Sequence, residues 1–429
     1  MIDISLNTLL IVIAFIAFMV FVSVLYVAII KTDIQDSTSD YKLEAQYKNQ
    51  VKLLSDKYEP VASKRRPVTE LLNNNNDMPT VQQCFVNFYS LGCRYTGYIG
   101  PVDEGYWDPD IAVQMAVKAG CRTFILEIDY LDECNGENIK YFPRIVVRDV
   151  QGKLRIKYNS NVPFCNSPAH SNIRDVCEKI NFYAFADGCQ NREDPIVIVL
   201  YFLRQPPGSY KSKTVLDYYS NVAKALSPFQ NRLLKNELEG GTYYRQSQEG
   251  RLLINNIKDY SGKVLIFSNA NTTGFRETQV YLPNEDLDFL TNLRLMHTQT
   301  KLGVTENGSS APFGILETAE DYMIIPTDRE EEIAEATKLR WTICLSQDPS
   351  KSVNKEIYNK ITSTFGVHCV PILLFDTKNN DFITDKFNTY SFIPKPEPLR
   401  YIKPPVVIPA EPNPSTNANH GMLRSPTIG

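Results

Sequence analysis

Residues 119–130 read AGCRTFILEIDY, and within them Glu127 and Asp129 form a pair of acids whose spacing suggests chemistry. Phe124, Leu126 and Ile128 alternate with Ile125, Glu127 and Asp129, so in a β-strand both carboxylates project from one face. Two carboxylates so placed repel each other unless a cation or a set of hydrogen bonds holds them. As metal ligands they would offer oxygens to Ca²⁺ or Mg²⁺, completed from neighbouring strands. As structural acids they would bond to arginines, for which Arg122, Arg148 and Arg204 are available. Acid–base chemistry needs a further group, and the chain has four histidines: His170, His297, His368 and His420. His420 lies in the C-terminal tail and His368 directly precedes a strand pattern. His170, in NSPAHS before a helix pattern, is therefore the candidate catalytic residue. Arg94, Tyr95 and Arg204 follow strand patterns and are candidate phosphate or headgroup ligands, since guanidinium groups match phosphate and carboxylate oxygens.

These residues need a scaffold. Apolar strand-like runs occur at 84–89, 123–129, 195–202, 263–269, 341–345 and 370–375, with helix patterns between several of them. Ile173, Val176, Cys177, Ile180 and Ala184 follow a 3.6-residue period, and residues 214–234 make a second amphipathic run. Continuous apolar strands separated by helices predict an α/β fold with a parallel sheet covered on both faces. At least six such strands over about 320 residues favour a closed (β/α)8 TIM barrel, with chemistry at the C-terminal strand ends, where Glu127 and Asp129 fall. No GxGxxG follows the first strand and no GxxxxGK[ST] occurs, which argues against dinucleotide and P-loop sites.

The 429 residues divide into four expected parts. The run from Leu9 to Ile30 is uncharged, which predicts a transmembrane helix over 5–30. Lysines and arginines follow this run and none precedes it, so the large C-terminal part is expected in the cytosol. Residues 31–78 form a juxtamembrane helix and Asn-rich linker, in which Leu43, Tyr47, Val51, Leu54 and Tyr58 make a stripe suited to self-association over 43–58. The barrel covers 79–408, with insertions near 131–170 and 299–330, and 409–429 is a disordered tail. A formal net charge of −4, without any basic stripe interleaved with aromatics, excludes nucleic acid as a partner. Nine scattered cysteines without CxxC spacing give no zinc site and suit free thiols in a reducing compartment.

The segment AVKAGCRTFILEIDY resembles a strand of phosphatidylinositol-specific phospholipase C catalytic domains, with its Gly-Cys-Arg followed by Glu-x-Asp. NIRDVCEKINFYAF followed by DPIVIVLYF, then SGKVLIF, FGVHCVPILLFD and FIPKPEPLR, resemble later parts of that family in the same order, over most of 81–405. The resemblance implies a phospholipase C-like TIM barrel with Glu127 and Asp129 as metal ligands and Ca²⁺ as the cofactor of an active member. The remaining functional residues of the family do not carry over. Its first histidine falls in FYSLGCRYTGYIG, which has none. Its second aligns near Tyr158-Asn159, its third metal carboxylate with Tyr201, and its phosphate-binding lysine with Phe267. Barrels of this family with eroded histidines occur among proteins of large DNA viruses, which this Asn-rich, apolar-led chain resembles.

The leading expectation is thus a catalytically degenerate phospholipase C-like barrel at a membrane, viral or virion-associated, that binds a phospholipid headgroup or a protein partner. The competing expectation is an active metal-dependent phosphoric diester hydrolase with a rebuilt site. A third is a stalk-and-head interaction protein with a closed pocket.

Overall fold

The computed structural model describes residues 6–74, 78–100, 105–132, 141–149, 151–154, 156–158, 172–234, 251–277, 285–297 and 314–404. Helix α1 runs from Leu6 to Ala62. Among the described residues no helix is long and apolar enough to cross a membrane. This overturns the transmembrane helix expected over 5–30, and the single-pass localisation with it. The apolar run has described side chains at 14–26, about 20 Å of helix at 1.5 Å per residue, against a hydrocarbon core of about 30 Å. The helix does not stop where the run ends; it continues through Asp33, Asp36 and Asp40.

The C-terminal third of α1 is held by the body of the protein. Leu54 and Tyr58 are fully buried, and Tyr47 and Val51 pack against the same core. The Tyr47 hydroxyl donates to Asp108, Gln50 Nε2 donates to the Ile99 carbonyl at 2.8 Å, and the Tyr58 hydroxyl to the Leu374 carbonyl at 3.2 Å. The stripe read as a self-association surface therefore faces the chain's own core at Tyr47, Val51, Leu54 and Tyr58, while the side chain of Leu43 lies outside the described residues. Leu54→Ala is expected to lower the unfolding free energy by about 2–3 kcal/mol, measured by urea denaturation, because the packed core around it cannot close over the lost volume.

Eight parallel strands form one curled sheet: β1 (Gly92–Arg94), β2 (Thr123–Asp129), β3 (Ile196–Phe202), β4 (Val264–Ser268), β5 (Leu293–His297), β6 (Gly314–Thr318), β7 (Trp341–Leu345) and β8 (Ile372–Leu373). Neighbours pair in chain order from β1 to β7, and β8 pairs β1 through Ile372–Cys93 and Leu373–Arg94. Between β7 and β8 there is one parallel bridge, Ile343–Cys369. Full crossover helices are α2 (Pro109–Ala119), α3 (Asn172–Ala184), α4 (Lys213–Ala225), α5 (Glu330–Thr337) and α6 (Lys355–Ser363). Between β4 and β5 the described residues form the short helical turns Thr273–Glu277 and Leu287–Leu290. The regular (β/α)8 barrel expected from the strand count is corrected to this curled, unevenly covered sheet: its seam is one bridge wide, and a one-turn helix cannot cover a strand as a full crossover helix does.

Each element follows from its sequence. In α2, Asp108 caps the first turn by accepting from the Asp110 and Ile111 amides, Pro109 sits at the first helical position, and Gly120 ends the helix in the left-handed region at φ 95. The inward side chains Ile125, Val197, Val199, Leu265, Phe267, Leu295, Leu316 and Ile343 fill the sheet interior, while Phe124, Leu126 and Ile128 face the helices. The run 84–89, read as the first barrel strand, instead forms a 3-10 turn at Phe85–Asn87 and a short strand, Phe88–Ser90, antiparallel to Phe392–Pro394. Its apolar side chains pack at the N-terminal end of the curled sheet: Phe85 meets Tyr260, Phe267 and Phe392 edge-on or tilted. Strands β5 and β6 lie in sequence not read as strand, and β6 falls within the expected 299–330 insertion.

Candidate functional site

The inward positions of β2 reach the C-terminal mouth of the sheet at Glu127 and Asp129, both buried, 3% and 1% exposed. The alternation seen in the sequence holds, but the two acids have different surroundings. Glu127 Oε1 accepts from Arg94 Nε at 2.5 Å, and Arg94 Nη1 donates to the Ser346 carbonyl at 2.8 Å, tying β1 and β2 to the loop after β7. Burial pulls the Arg94 guanidinium towards losing its proton, and the Glu127 carboxylate beside it more than reverses this, so its pKa is raised.

Asp129 is withdrawn into a second cluster. Its Oδ1 accepts from Arg204 Nε at 2.9 Å and from the Tyr130 amide at 2.8 Å, while its Oδ2 lies 2.6 Å from Arg148 Nη2. Arg204 also donates to Asp132 at 2.9 Å and to the Tyr130 carbonyl at 2.9 Å, and stacks over the Tyr130 ring at 4.2 Å. Arg148 Nη1 donates to the Gly152 carbonyl at 2.8 Å. Arg122, the remaining arginine considered from sequence, is elsewhere: it is buried against the Ala184 carbonyl and Asn191.

A cavity of about 360 Å³ opens above Glu127, lined by Arg94, Tyr95, Arg148 and Tyr201 among polar groups, with Leu203, Leu316, Leu345 and Pro349 as apolar wall. The Tyr95 side chain is 1% exposed, its backbone is left-handed at φ 56, and its hydroxyl meets no partner among the described residues. Burial raises the pKa of Tyr95 well above 10 and raises that of Tyr201 as well, so both hydroxyls stay protonated.

The residues present do not fit a Ca²⁺ ion. Such an ion takes six to eight oxygens, whereas both oxygens of Asp129 and one of Glu127 already accept from arginines. Among the described residues no group of three or more histidines, cysteines and acids could hold a metal.

Of the sequence candidates, Arg94, Tyr95 and Glu127 come together at the cavity. Asp129 and Arg204 pair with each other outside its lining, and His170 lies outside the described residues. His368 is buried far down the sheet, its ring bonded to Thr342 and the Val86 carbonyl. Sequence reasoning did not find Glu317, Ser346 and Gln347 as lining residues, because they sit at the ends of β6 and β7 with no spacing that marks them.

No family model matches the chain, and no curated protein matches it. Among solved structures, it is similar to PLC21 of L. pealei, with 13% identity, a TM-score of 0.49, and coverage of 76% of this chain and 38% of that one. It is also similar to a calcium-dependent phosphoinositol-specific phospholipase C from Pseudomonas sp, with 11% identity, a TM-score of 0.42, and coverage of 73% of this chain and 96% of that one. A Ca²⁺-dependent phosphatidylinositol-specific phospholipase C from Streptomyces antibioticus follows, with 10% identity, a TM-score of 0.36, and coverage of 61% of this chain and 82% of that one. The chain thus spans well under half the length of PLC21. Two of these three are named as phosphoinositide-specific phospholipases C that depend on calcium.

Proposed function

We propose that this chain is a phospholipase C-like protein whose strand-end site binds a small, headgroup-like ligand without cleaving a phosphodiester bond. The observation that carries this reading is the neutralisation of Glu127 by Arg94 and of Asp129 by Arg148 and Arg204. An ion pair this buried persists only when its partners stay matched, so the acids are engaged by arginines rather than open to a metal. Phosphodiester cleavage also needs a base on the attacking hydroxyl and an acid on the leaving oxygen. The one histidine with a described side chain, His368, is 1% exposed and bonded at both ring nitrogens. A binding role is supported by the cavity itself, which falls in the range of small-ligand sites, roughly 300–1,000 Å³.

The test is a phosphodiesterase assay on the purified full chain. Phosphatidylinositol and glycerophosphodiesters are offered with Ca²⁺ or with EDTA, beside Glu127→Gln. The expected outcome is no turnover above buffer in any arm. Ca²⁺-dependent turnover lost in Glu127→Gln would establish an active phosphoric diester hydrolase instead.

A further inference from the structure

The N-terminal end of the sheet, opposite the cavity, is covered by the last part of the described chain. Phe392–Pro394 pairs with Phe88–Ser90 in a two-stranded sheet of its own, outside the eight-stranded one. Beyond it the Lys395 amide donates to the Asn87 carbonyl at 2.8 Å. The fully buried Asn87 side chain accepts from the Tyr401 amide at 2.6 Å and donates to the Tyr401 carbonyl at 2.8 Å. Arg400 donates to Gln82 at 3.1 Å, and at the other end Asn191 donates to Ser391 Oγ at 2.7 Å. Residues 391–401 thus make a strap that can leave without breaking any strand pair of the main sheet.

Two basic side chains are closed in under this strap with no acid beside them. Lys395 is fully buried, and its Nζ donates to the Thr337 carbonyl at 3.2 Å. His368 spends both ring nitrogens on Thr342 and the Val86 carbonyl. Neither base is bonded to a carboxylate among the described residues. The charged groups around them give no relief. On the α5 side, Lys338 opposes charge on Lys395 and is itself paired with Glu335 at 2.5 Å, while Lys395 opposes charge on His368. On the strap, Arg400 Nε donates to the Lys395 carbonyl at 2.6 Å, and Glu397 is exposed. Asp194 is spent behind Ser391, accepting from Asn191 Nδ2 at 3.3 Å and from the Val68 amide at 2.7 Å. A buried cation without a partner is costly, so the closed strap holds both bases neutral.

We infer that residues 391–401 form a proton-released strap, latched while Lys395 and His368 are neutral and freed when water reaches and protonates them. Release uncovers Phe88 and Phe392, each 1% exposed in the closed form. The inference is independent of the binding role of the cavity. Burial lowers the pKa of both bases while the strap is closed. Opening therefore takes up protons and is favoured as the pH falls. Once hydrated, Lys395 ionises near pH 10.4 and His368 near pH 6.5, roughly the values of free side chains. Lys395 thus drives the alkaline range, and His368 adds its proton below about pH 6.5.

The experiment is hydrogen–deuterium exchange of the purified full chain between about pH 9 and pH 5, read by mass spectrometry as protection factors, which remove the pH dependence of the exchange chemistry itself. Protection in the strap is expected to be lower than in β2 and β3, and to fall about tenfold from about pH 9 to pH 8, the effect of one proton taken up on opening. Asp194, with its pKa raised to about 6, does not titrate in that window. Lys395→Met, which keeps the side chain's bulk and removes its charge, should flatten this alkaline limb and leave a fall below about pH 6.5 that His368 carries. His368→Gln should do the reverse, keeping the alkaline limb and losing the acid one. Strap protection equal to that of β2 and β3 at every pH overturns local release, because the strap then opens only with the whole molecule. Strap protection that does not change with pH in the wild type overturns the proton trigger. An unaltered alkaline limb in Lys395→Met overturns the assignment to Lys395, and an unaltered acid limb in His368→Gln overturns that to His368.

Discussion

Replacing Asp129 by alanine is expected to lower the unfolding free energy by about 3–5 kcal/mol, the cost of removing one partner from a buried ion pair. Asp129 is 1% exposed and accepts from two guanidiniums and the Tyr130 amide. Without it Arg148 and Arg204 stand against each other across an empty acceptor position. Their side chains are 18% and 29% exposed, so water reaches part of each and the loss should fall toward the lower end of that range. Arg204→Ala should cost less, since Asp129 then keeps Arg148 and the Tyr130 amide. Urea denaturation of the single variants and of the Asp129→Ala/Arg148→Ala pair closes a double-mutant cycle. A loss below about 1 kcal/mol in Asp129→Ala would show the acid to be solvated and free for other chemistry.

The second large effect is at the opposite end of the sheet. Thr342 donates its amide to His368 Nδ1 at 3.0 Å, so the ring proton is on Nε2, which donates to the Val86 carbonyl at 2.7 Å. The ring also lies against Trp341, with centroids 6.2 Å apart. His368→Ala leaves a buried amide and carbonyl unpaired and opens a void, an expected loss of about 3–4 kcal/mol. The fold holds the ring neutral. Burial, then the neighbouring Lys395, push its pKa well below 6.5, with the Val86 carbonyl opposing them. An unfolded chain takes up this proton near pH 6.5. Below that value the unfolded state binds a proton that the folded state refuses. Stability is therefore complete above about pH 6.5 and declines as the pH falls toward the folded-state pKa, by about 1.4 kcal/mol per unit. Asp194 acts in the other sense. Burial raises its pKa from 3.8 to about 6, so its contribution is lost as the pH rises through 6. Asp194 is common to wild type and His368→Ala, so the difference in stability between the two isolates the histidine. That difference should shrink between pH 7 and pH 5, and a constant difference would mean the folded ring titrates normally.

Local pattern determined several features by itself. Period-two alternation in TFILEID placed Glu127 and Asp129 on one face, and they do share the inward side of β2. The 3.6-residue stripe Ile173, Val176, Cys177, Ile180 and Ala184 is the buried face of α3. Strand WTICL has the bounds that its apolar run predicts. Such features are legible because burial on one side imposes a repeat on adjacent residues.

Tertiary structure decided the rest, for the same reason run in reverse. The apolar run 84–89 has strand composition, yet it packs under the N-terminal end of the curled sheet, because apolar content marks burial without saying which surface does the burying. The chain segments LRLMH and GILET carry charge and glycine within short runs, and only pairing with strands already in place makes them β5 and β6. The site is the clearest case. Arg94 meets Glu127 across 33 positions, and Arg204 meets Asp129 across 75. Nothing local distinguishes these arginines from Arg122, which the fold buries against Asn191 instead. Spacing along the chain told where two acids would point, and only the closing of the sheet determined which charges would answer them.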